Sequence, residues 1–500
     1  MLNPAPPEAA VAELALLFES QSPLIVCEDA EEDRIIAVIE AAAERIFVPI
    51  MVWRAHVGLS RAGEEHPVTG TDDPLHAVAF IESANHETIY HLRGFDEPLR
   101  DARVVSRMKE VCRKMETHRG GVVLSGPSVD VPPELAAYAS YFTLPPPTAI
   151  EYHDVIASVI DELRRTHRVT ISLSPEEAEE LYATVRGLSL GEVRRILAKG
   201  IVKDGRLDHD DIAEVREAKR KILERTDVLS SVETAATLDG VAGLAHFKAW
   251  IQNRTRAFRE PAAARSFGLT PPRGVLLIGV QGCGKSLAAK AIAGEWRLPV
   301  VRFDPGALFS KYVGETEKAL KRSLAVVEAM APLVLWFDEL EKAFTEDSDS
   351  DGGVSRRVLG SLLSWLQEHR APVFVVATAN DITSLPPELL RKGRFDEIFF
   401  VDLPGPEVRV ELFRTHLAAH GRALADQELA MLASETDGFS GAEIEQLVVA
   451  ALNAAFTAGV ELSAEQLAVE ARATTPLSRT MAEPIAALRA WANGRAVKAD

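Results

Sequence analysis

The chain has 500 residues, 47% of them hydrophobic and 26% charged, with a formal net charge of −19 at pH 7. At roughly 100–200 residues per domain this length holds three or four folded units, and the acidic excess argues against a broad nucleic-acid-binding face. No apolar run approaches the roughly 18 residues that span a bilayer; no basic-then-apolar leader opens the chain, and the three cysteines (Cys27, Cys112, Cys283) are scattered as in a reducing compartment, so a cytoplasmic protein without a membrane span is expected.

In chain order, residues 23–27 (PLIVC), 88–92 (TIYHL) and 121–125 (GVVLS) read as apolar strands of an α/β unit. His86, Glu87 and His91 do not make a helical zinc site, because the second histidine follows at five residues rather than four and the run is β-rich. Residues 151–228 carry helical apolar spacing, with Ser174-Pro175-Glu176-Glu177 as a helix start, and end in the charged amphipathic stretch DIAEVREAKRKILER. Its basic cluster is expected to make i,i+4 pairs.

The chemistry lies past the midpoint. Residues 274–278 (GVLLI) form a β-rich run, and Gly279, Val280, Gln281, Gly282, Cys283, Gly284, Lys285 and Ser286 satisfy G-x-x-x-x-G-K-[ST]. Leu287 then opens an alanine-rich helix. Glycines let such a loop turn so that its N–H groups and the helix N-terminus surround phosphates. Lys285 is expected at the β- and γ-phosphates of ATP and Ser286 on Mg²⁺, while Cys283 reads as a small residue that fits the loop. Residues 333–337 (LVLWF) read as a buried parallel strand delivering Asp338 to the Mg²⁺ shell and Glu339 to the attacking water, at the strand end where such sheets bind ligands. A third strand, residues 373–378, leads to Asn380, whose amide suits the water or the γ-phosphate.

The segments LWFDELEKAF, VVATANDITSLPPELLRKGRFDEIFFVDLPG and DGFSGAEIEQLV resemble the AAA branch of the AAA+ ATPases over about residues 235–460. The resemblance implies that Asn380 is the sensor and that Arg391 and Arg394 are fingers acting on a neighbouring subunit's nucleotide. A guanidinium supplied in trans stabilises phosphoryl transfer by a factor of about 10³–10⁵; the plainer reading is surface ion pairs. Fingers require an oligomer, by resemblance a hexameric ring of this chain. Lys311, Tyr312, Val313 and Gly314 stand where the family carries its substrate-gripping pore loop, although Tyr312 also reads as core or interface packing. Gly441 and Ala442 match the lid's small residues near adenine, and the segment holding Val241 and Gly243 resembles the one entering the adenine pocket. Residues 345–353 read as a polar acidic loop, at the ring axis or simply solvated. The stretch PLSRTMAEPIAALRAWANGRAVKA reads as a C-terminal amphipathic helix that docks on its own module or meets a partner.

Sliding the chain by 250 residues explains the first half. Residues 48–53 fall on residues 298–303, and residues 23–27 on the strand leading to the phosphate loop. Without gaps Gly279 falls on Asp29, Lys285 on Ile35 and Ser286 on Ile36, with Glu31, Glu32 and Asp33 where phosphates would sit. The counterparts of Asn380, of the Asp-Glu pair and of both arginines are gone. The expected layout is a degenerate ATPase-like α/β domain over 1–150, its helical lid or linker over 151–228, a P-loop AAA+ three-layer αβα domain over 229–404, and a helical lid with C-terminal helix over 405–500. This arrangement resembles the AAA proteins of cyanobacteria, other bacteria and algal plastid genomes. The function read from it is Mg²⁺-dependent ATP hydrolysis by an oligomer that remodels or unfolds a protein partner through Tyr312. The alternative is an ATP-gated regulatory scaffold whose assembly state is the output. No nucleic-acid partner is expected.

Overall fold

The computed structural model describes residues 6–28, 31–64, 66–84, 87–126, 129–224, 228–232, 236–311, 316–344, 352–391 and 393–500. Two compact units divide the chain, Met1–Ala218 and Lys219–Asp500. In the first, strands β1 (Leu24–Glu28), β2 (Ile50–Arg54), β3 (Gly58–Arg61), β4 (Thr88–Arg93), β5 (Gly120–Gly126) and β6 (Ala139–Tyr141) form one sheet in the order β3-β2-β4-β5-β1-β6. Every neighbouring pair is parallel except the β2–β3 hairpin. Parallel strands covered on both faces must be apolar on both, and β5 is buried along its whole length. Separate cores lie on the two faces, one around Trp53, Tyr90 and Phe95, the other around Phe18, Ile39 and Phe142.

Helices Ala149–Arg164, Pro175–Val185 and Leu190–Asp204 follow, with the short strand β7 (Thr170–Ile171) after the first paired to β8 (Arg206–Leu207) after the third. Thr148, Ser174 and Ser189 each open a helix through a reciprocal capping box with a glutamate three residues on. Each box satisfies two backbone donors that a helix start leaves without partners.

The second unit holds β9 (Leu229–Val232), β10 (Gly274–Gly279), β11 (Val300–Phe303), β12 (Leu333–Phe337), β13 (Val373–Ala379), β14 (Glu397–Val401) and β15 (Val497–Lys498), in the order β15-β14-β10-β13-β12-β11-β9. Only β9 runs antiparallel to its neighbour. The run β14-β10-β13-β12-β11 repeats the run β6-β1-β5-β4-β2 of the first unit, strand for strand and all parallel. Helices Pro406–Ala419, Asp426–Glu435, Gly441–Ala458 and Ala464–Ala473 gather about a core of their own, the helical lid. The expected α/β class with a helical lid is the class observed.

The C-terminal stretch departs from a single helix. It forms Leu477–Thr480, Ala482–Ala492 and then β15, which extends the sheet beside β14. Pro484 has no N–H to donate and is tolerated only in a first helical turn, which forces a helix to begin near residue 482.

The helix starts correct the ungapped comparison. Residues 280–284 separate β10 from helix Lys285–Trp296, whereas residues 29–31 separate β1 from helix Glu32–Ile46. The residue at the lysine position of the first unit is therefore Glu32 rather than Ile35. Ile35, 2% exposed, belongs to the core.

Candidate active site

At the carboxyl ends of β10, β12 and β13 a cavity of about 440 Å³ opens between the sheet and the lid, within the size range of sites for small ligands. Its phosphate end is lined by Gln281, Gly282, Cys283, Gly284, Lys285, Ser286, Leu287, Asp338, Glu339 and Asn380. Its other end is lined by Val241, Ala242, Leu244 and by Val408, Leu412, His416, Gly441 and Ala442 of the lid. Gly279 and Val280 supply backbone to the loop without lining the cavity, and Gly243 donates its N–H to Glu411 Oε2 at 3.1 Å.

Gly282 is required twice: φ is +77°, and a Cβ there would stand 3.0 Å from Ser440 Oγ and 3.1 Å from Ala442 Cβ. The lid closes on this residue, since Ala442 N–H donates to Gly282 O at 3.0 Å. Lys285 is 5% exposed, and its Nζ donates to Gly279 O at 2.8 Å and Val280 O at 2.7 Å. Burial lowers its ammonium to about 8, only partly opposed by nearby acidic groups including Glu341, Glu339 and Asp338. The adjoining Cys283 thiol is pushed up to about 12 by the same burial, so it stays protonated near neutrality and is a poor nucleophile.

Asp338 receives three donors: Ser286 Oγ at 3.2 Å and Thr378 Oγ1 at 3.0 Å on Oδ1, and Arg302 Nη2 at 3.2 Å on Oδ2. Asn380 Nδ2 donates to Glu339 Oε1 at 3.0 Å, while Lys342 pairs with Oε2. Behind them the buried Glu341 Oε1 accepts the Asn380 N–H at 2.8 Å, and burial raises its carboxyl above the usual range. A buried ammonium, a helix N-terminus and a carboxylate–hydroxyl pair meeting in one cleft form a donor set that fits a nucleotide triphosphate with a divalent cation. Ser286 and Asp338 are the residues placed to hold that cation.

Sequence reasoning missed Thr378, His416 and Arg302. His416 had no sequence signal; burial holds its imidazole below the usual range. Thr378 was visible two residues before Asn380, but only the strand register shows its hydroxyl facing Asp338. Neither Arg391 nor Arg394 lines this cavity: Arg391 is exposed, and Arg394 pairs with Gln367. Tyr312, Val313 and Gly314, and the Lys311 side chain, lie outside the described residues, as do residues 345–351.

The corresponding place in the first unit carries exchanged charges. Leu24 pairs with Val122 as Gly274 pairs with Val375, which sets Ser125 at the place of Thr378. Arg93 pairs with Ser125 and so stands where Asp338 stands, one step beyond the Phe337–Ala377 pair. The acid and the base have changed places, and Arg93 forms an ion pair with Glu32. Arg34 Nε meets Glu151 Oε1 at 2.7 Å, with the two side chains 6% and 2% exposed. Glu31 Oε1 accepts the Leu190 N–H at 3.2 Å, at the start of helix Leu190–Asp204. This matches the contact of Gly282 with the lid, because Ser189-Leu190-Gly191-Glu192 and Ser440-Gly441-Ala442-Glu443 are capping boxes of one pattern. His91, buried, holds Ser125 Oγ at 2.6 Å and burial lowers its pKa to about 3, a neutral structural pair.

Comparison with known proteins agrees with this geometry. Residues 275–403 match the ATPase family associated with various cellular activities (AAA), and residues 426–468 match the AAA+ lid domain. Residues 10–144 and 151–226 match the N-terminal and second domains of SpoVK-like AAA ATPases. The AAA domain-containing protein ycf46 of Pyropia yezoensis is 34% identical over 494 residues, covering 98% of this chain and 99% of that protein. Its counterpart in Gracilaria tenuistipitata var. liui is 35% identical, over 96% of this chain and 97% of its own length. The cell division cycle protein 48 homolog of Archaeoglobus fulgidus is 30% identical over 282 residues, 53% of this chain and 38% of that protein. With a nucleotide cleft of this construction and matches along nearly its whole length, the chain belongs to the AAA family of ATPases and is an ATP hydrolase.

Proposed function

We propose that the second unit hydrolyses ATP with Mg²⁺ in an oligomer of this chain, hexameric by resemblance, and that the cycle remodels a protein partner. The observation that carries the chemistry is the convergence of Lys285, the Ser286–Asp338 pair and the Asn380–Glu339 pair in one cavity. Ser286 and Asp338 would hold Mg²⁺, which would supply charge neutralisation to the phosphates. Lys285 leaves the two loop carbonyls for the phosphates, Asn380 orients the Glu339 carboxylate, and Glu339 takes the proton of the water that attacks the γ-phosphorus. ADP then departs as the leaving group. Arg391 and Arg394, set apart from their own cavity, act on a neighbour's nucleotide. Tyr312 and its flanking residues grip the polypeptide.

The layout we propose is a degenerate domain over 1–150 with its lid over 151–228, then an ATPase domain over 229–404 with its lid and C-terminal segment over 405–500. The first part provides architecture or a partner surface and holds no nucleotide, a reading supported by the Glu32–Arg93 exchange and the Arg34–Glu151 pair. The free thiols Cys27, Cys112 and Cys283 support a reducing compartment such as the cytoplasm. Among the described residues no helix is long and apolar enough to cross a membrane.

Two full-length variants test the chemistry. Lys285→Ala should abolish saturable ATP binding by the whole chain, and Glu339→Gln should bind ATP without turning it over. Residual stoichiometric binding in Lys285→Ala would place a second nucleotide in the first unit. Undiminished hydrolysis by Glu339→Gln would remove that residue from the base's role. Stimulation of turnover by an unfolded polypeptide, lost in Tyr312→Ala, separates a remodelling motor from an ATP-gated scaffold.

A further inference from the structure

We propose that Thr378 is the positioning residue of the hydrolytic pair, its hydroxyl holding Asp338 and Glu339 in their working arrangement. The proposal rests on the reading of Glu339 as the base. Thr378 lies on β13, 1% exposed, with its side chain against the end of β12. Its Oγ1 is 3.0 Å from Asp338 Oδ1 and 3.0 Å from the Glu339 backbone nitrogen, with Phe337 O further away at 3.5 Å. A hydroxyl has one proton to give and lone pairs to receive. Donor chemistry and distance decide the direction: the Glu339 N–H can only donate, so the hydroxyl accepts it and gives its own proton to Asp338 Oδ1, the nearer of the two oxygens.

Glu339 needs such a hold. Its φ is +50°, in the left-handed region that residues with a Cβ visit rarely and keep only where the surroundings enforce it. The turn directs its carboxylate to Asn380 Nδ2, just past the end of the neighbouring strand. Thr378 is two residues before Asn380, which directly follows β13, so the Thr378 hydroxyl grips the backbone and the Asn380 amide the carboxylate of one residue. The first unit supplies a contrast. The hydroxyl at this place is Ser125, Arg93 occupies the aspartate's place, and the hydroxyl is held by His91 instead.

The experiment compares full-length Thr378→Val, which keeps shape and removes the hydroxyl, with Thr378→Ser, which keeps the hydroxyl. Val is expected to lower kcat at least about tenfold, part of the roughly 10²–10⁴-fold that a positioned base is worth, with the Kd for ATP changed less than about threefold. Ser is expected to recover most of the turnover. Val turning over within about twofold of the parent, or Ser as impaired as Val, would overturn the proposal. Glu339→Gln is measured beside them: if it is inactive while Val is active, Thr378 alone is misassigned, and if it is active, the base itself is. Should Val not fold, Thr378→Cys replaces it, being of similar size and a weaker hydrogen-bonding group.

Discussion

Raising the pH should weaken ATP binding through Lys285, and the structure sets the scale. Burial takes the ammonium from its ordinary 10.5 to about 8 in the free protein. Bound against phosphates it must be charged, and the neighbouring anion returns its pKa to the ordinary lysine range or above. The free lysine therefore gives up its proton as pH rises through about 8, and binding must put the proton back. The sign follows: affinity is full below about pH 8 and falls above it, until the pKa of the complex is reached. At pH 9 the free lysine is roughly nine-tenths neutral, so the apparent Kd should be about tenfold higher than at pH 7. Titration with a slowly hydrolysed ATP analogue measures this directly. Calorimetry in buffers of different ionisation enthalpy should show about 0.9 proton taken up per nucleotide at pH 9 and little at pH 7. Lys285→Arg, whose guanidinium does not titrate in this range, should lose the pH dependence whatever its affinity. A flat Kd between pH 7 and 9 in the parent protein, without proton uptake, would refute the argument that a desolvated lysine governs the site.

Glu151→Gln should leave Arg34 charged and unpaired in the first unit, costing about 3–5 kcal/mol in urea unfolding of that unit, and a cost below about 1 kcal/mol would show the pair is not buried as described. Arg391→Ala or Arg394→Ala should keep ATP affinity within a few-fold while lowering turnover at least tenfold, and mixing either with Lys285→Ala subunits should restore part of it. Turnover that is independent of protein concentration in a strictly monomeric parent would contradict a role across subunits.

Much of this protein was legible in its residues because phosphate chemistry is local. Gly279 to Ser286 specify a loop within one turn of chain, and the apolar runs ending at Asp338 and Asn380 specify buried strands whose ends carry the reactive groups. The repeated strand order was also foreshadowed by the match of residues 48–53 with 298–303. The ungapped match failed at the loop, since from equivalent strand positions the first unit's connection is three residues shorter (29–31 against 279–284), and the helix start moved Glu32 to the lysine place.

What the tertiary structure alone decided is which side chains meet across strands. Thr378 and Asp338 are 40 residues apart and face each other only through parallel register; Arg93 and Glu32 are 61 apart, and Arg34 and Glu151 are 117 apart. Residue type and spacing encode a helix cap or a phosphate loop, because their hydrogen bonds close within a few residues. A cross-strand pair has no such local signature, since its partner is chosen by the order of strands in the sheet. The amino-acid sequence thus determined that the second half carries a phosphate-loop pattern, which the first half lacks. The sheet decided what stands there instead, setting an arginine at the aspartate's place and a glutamate at the lysine's, so that the two charges satisfy each other.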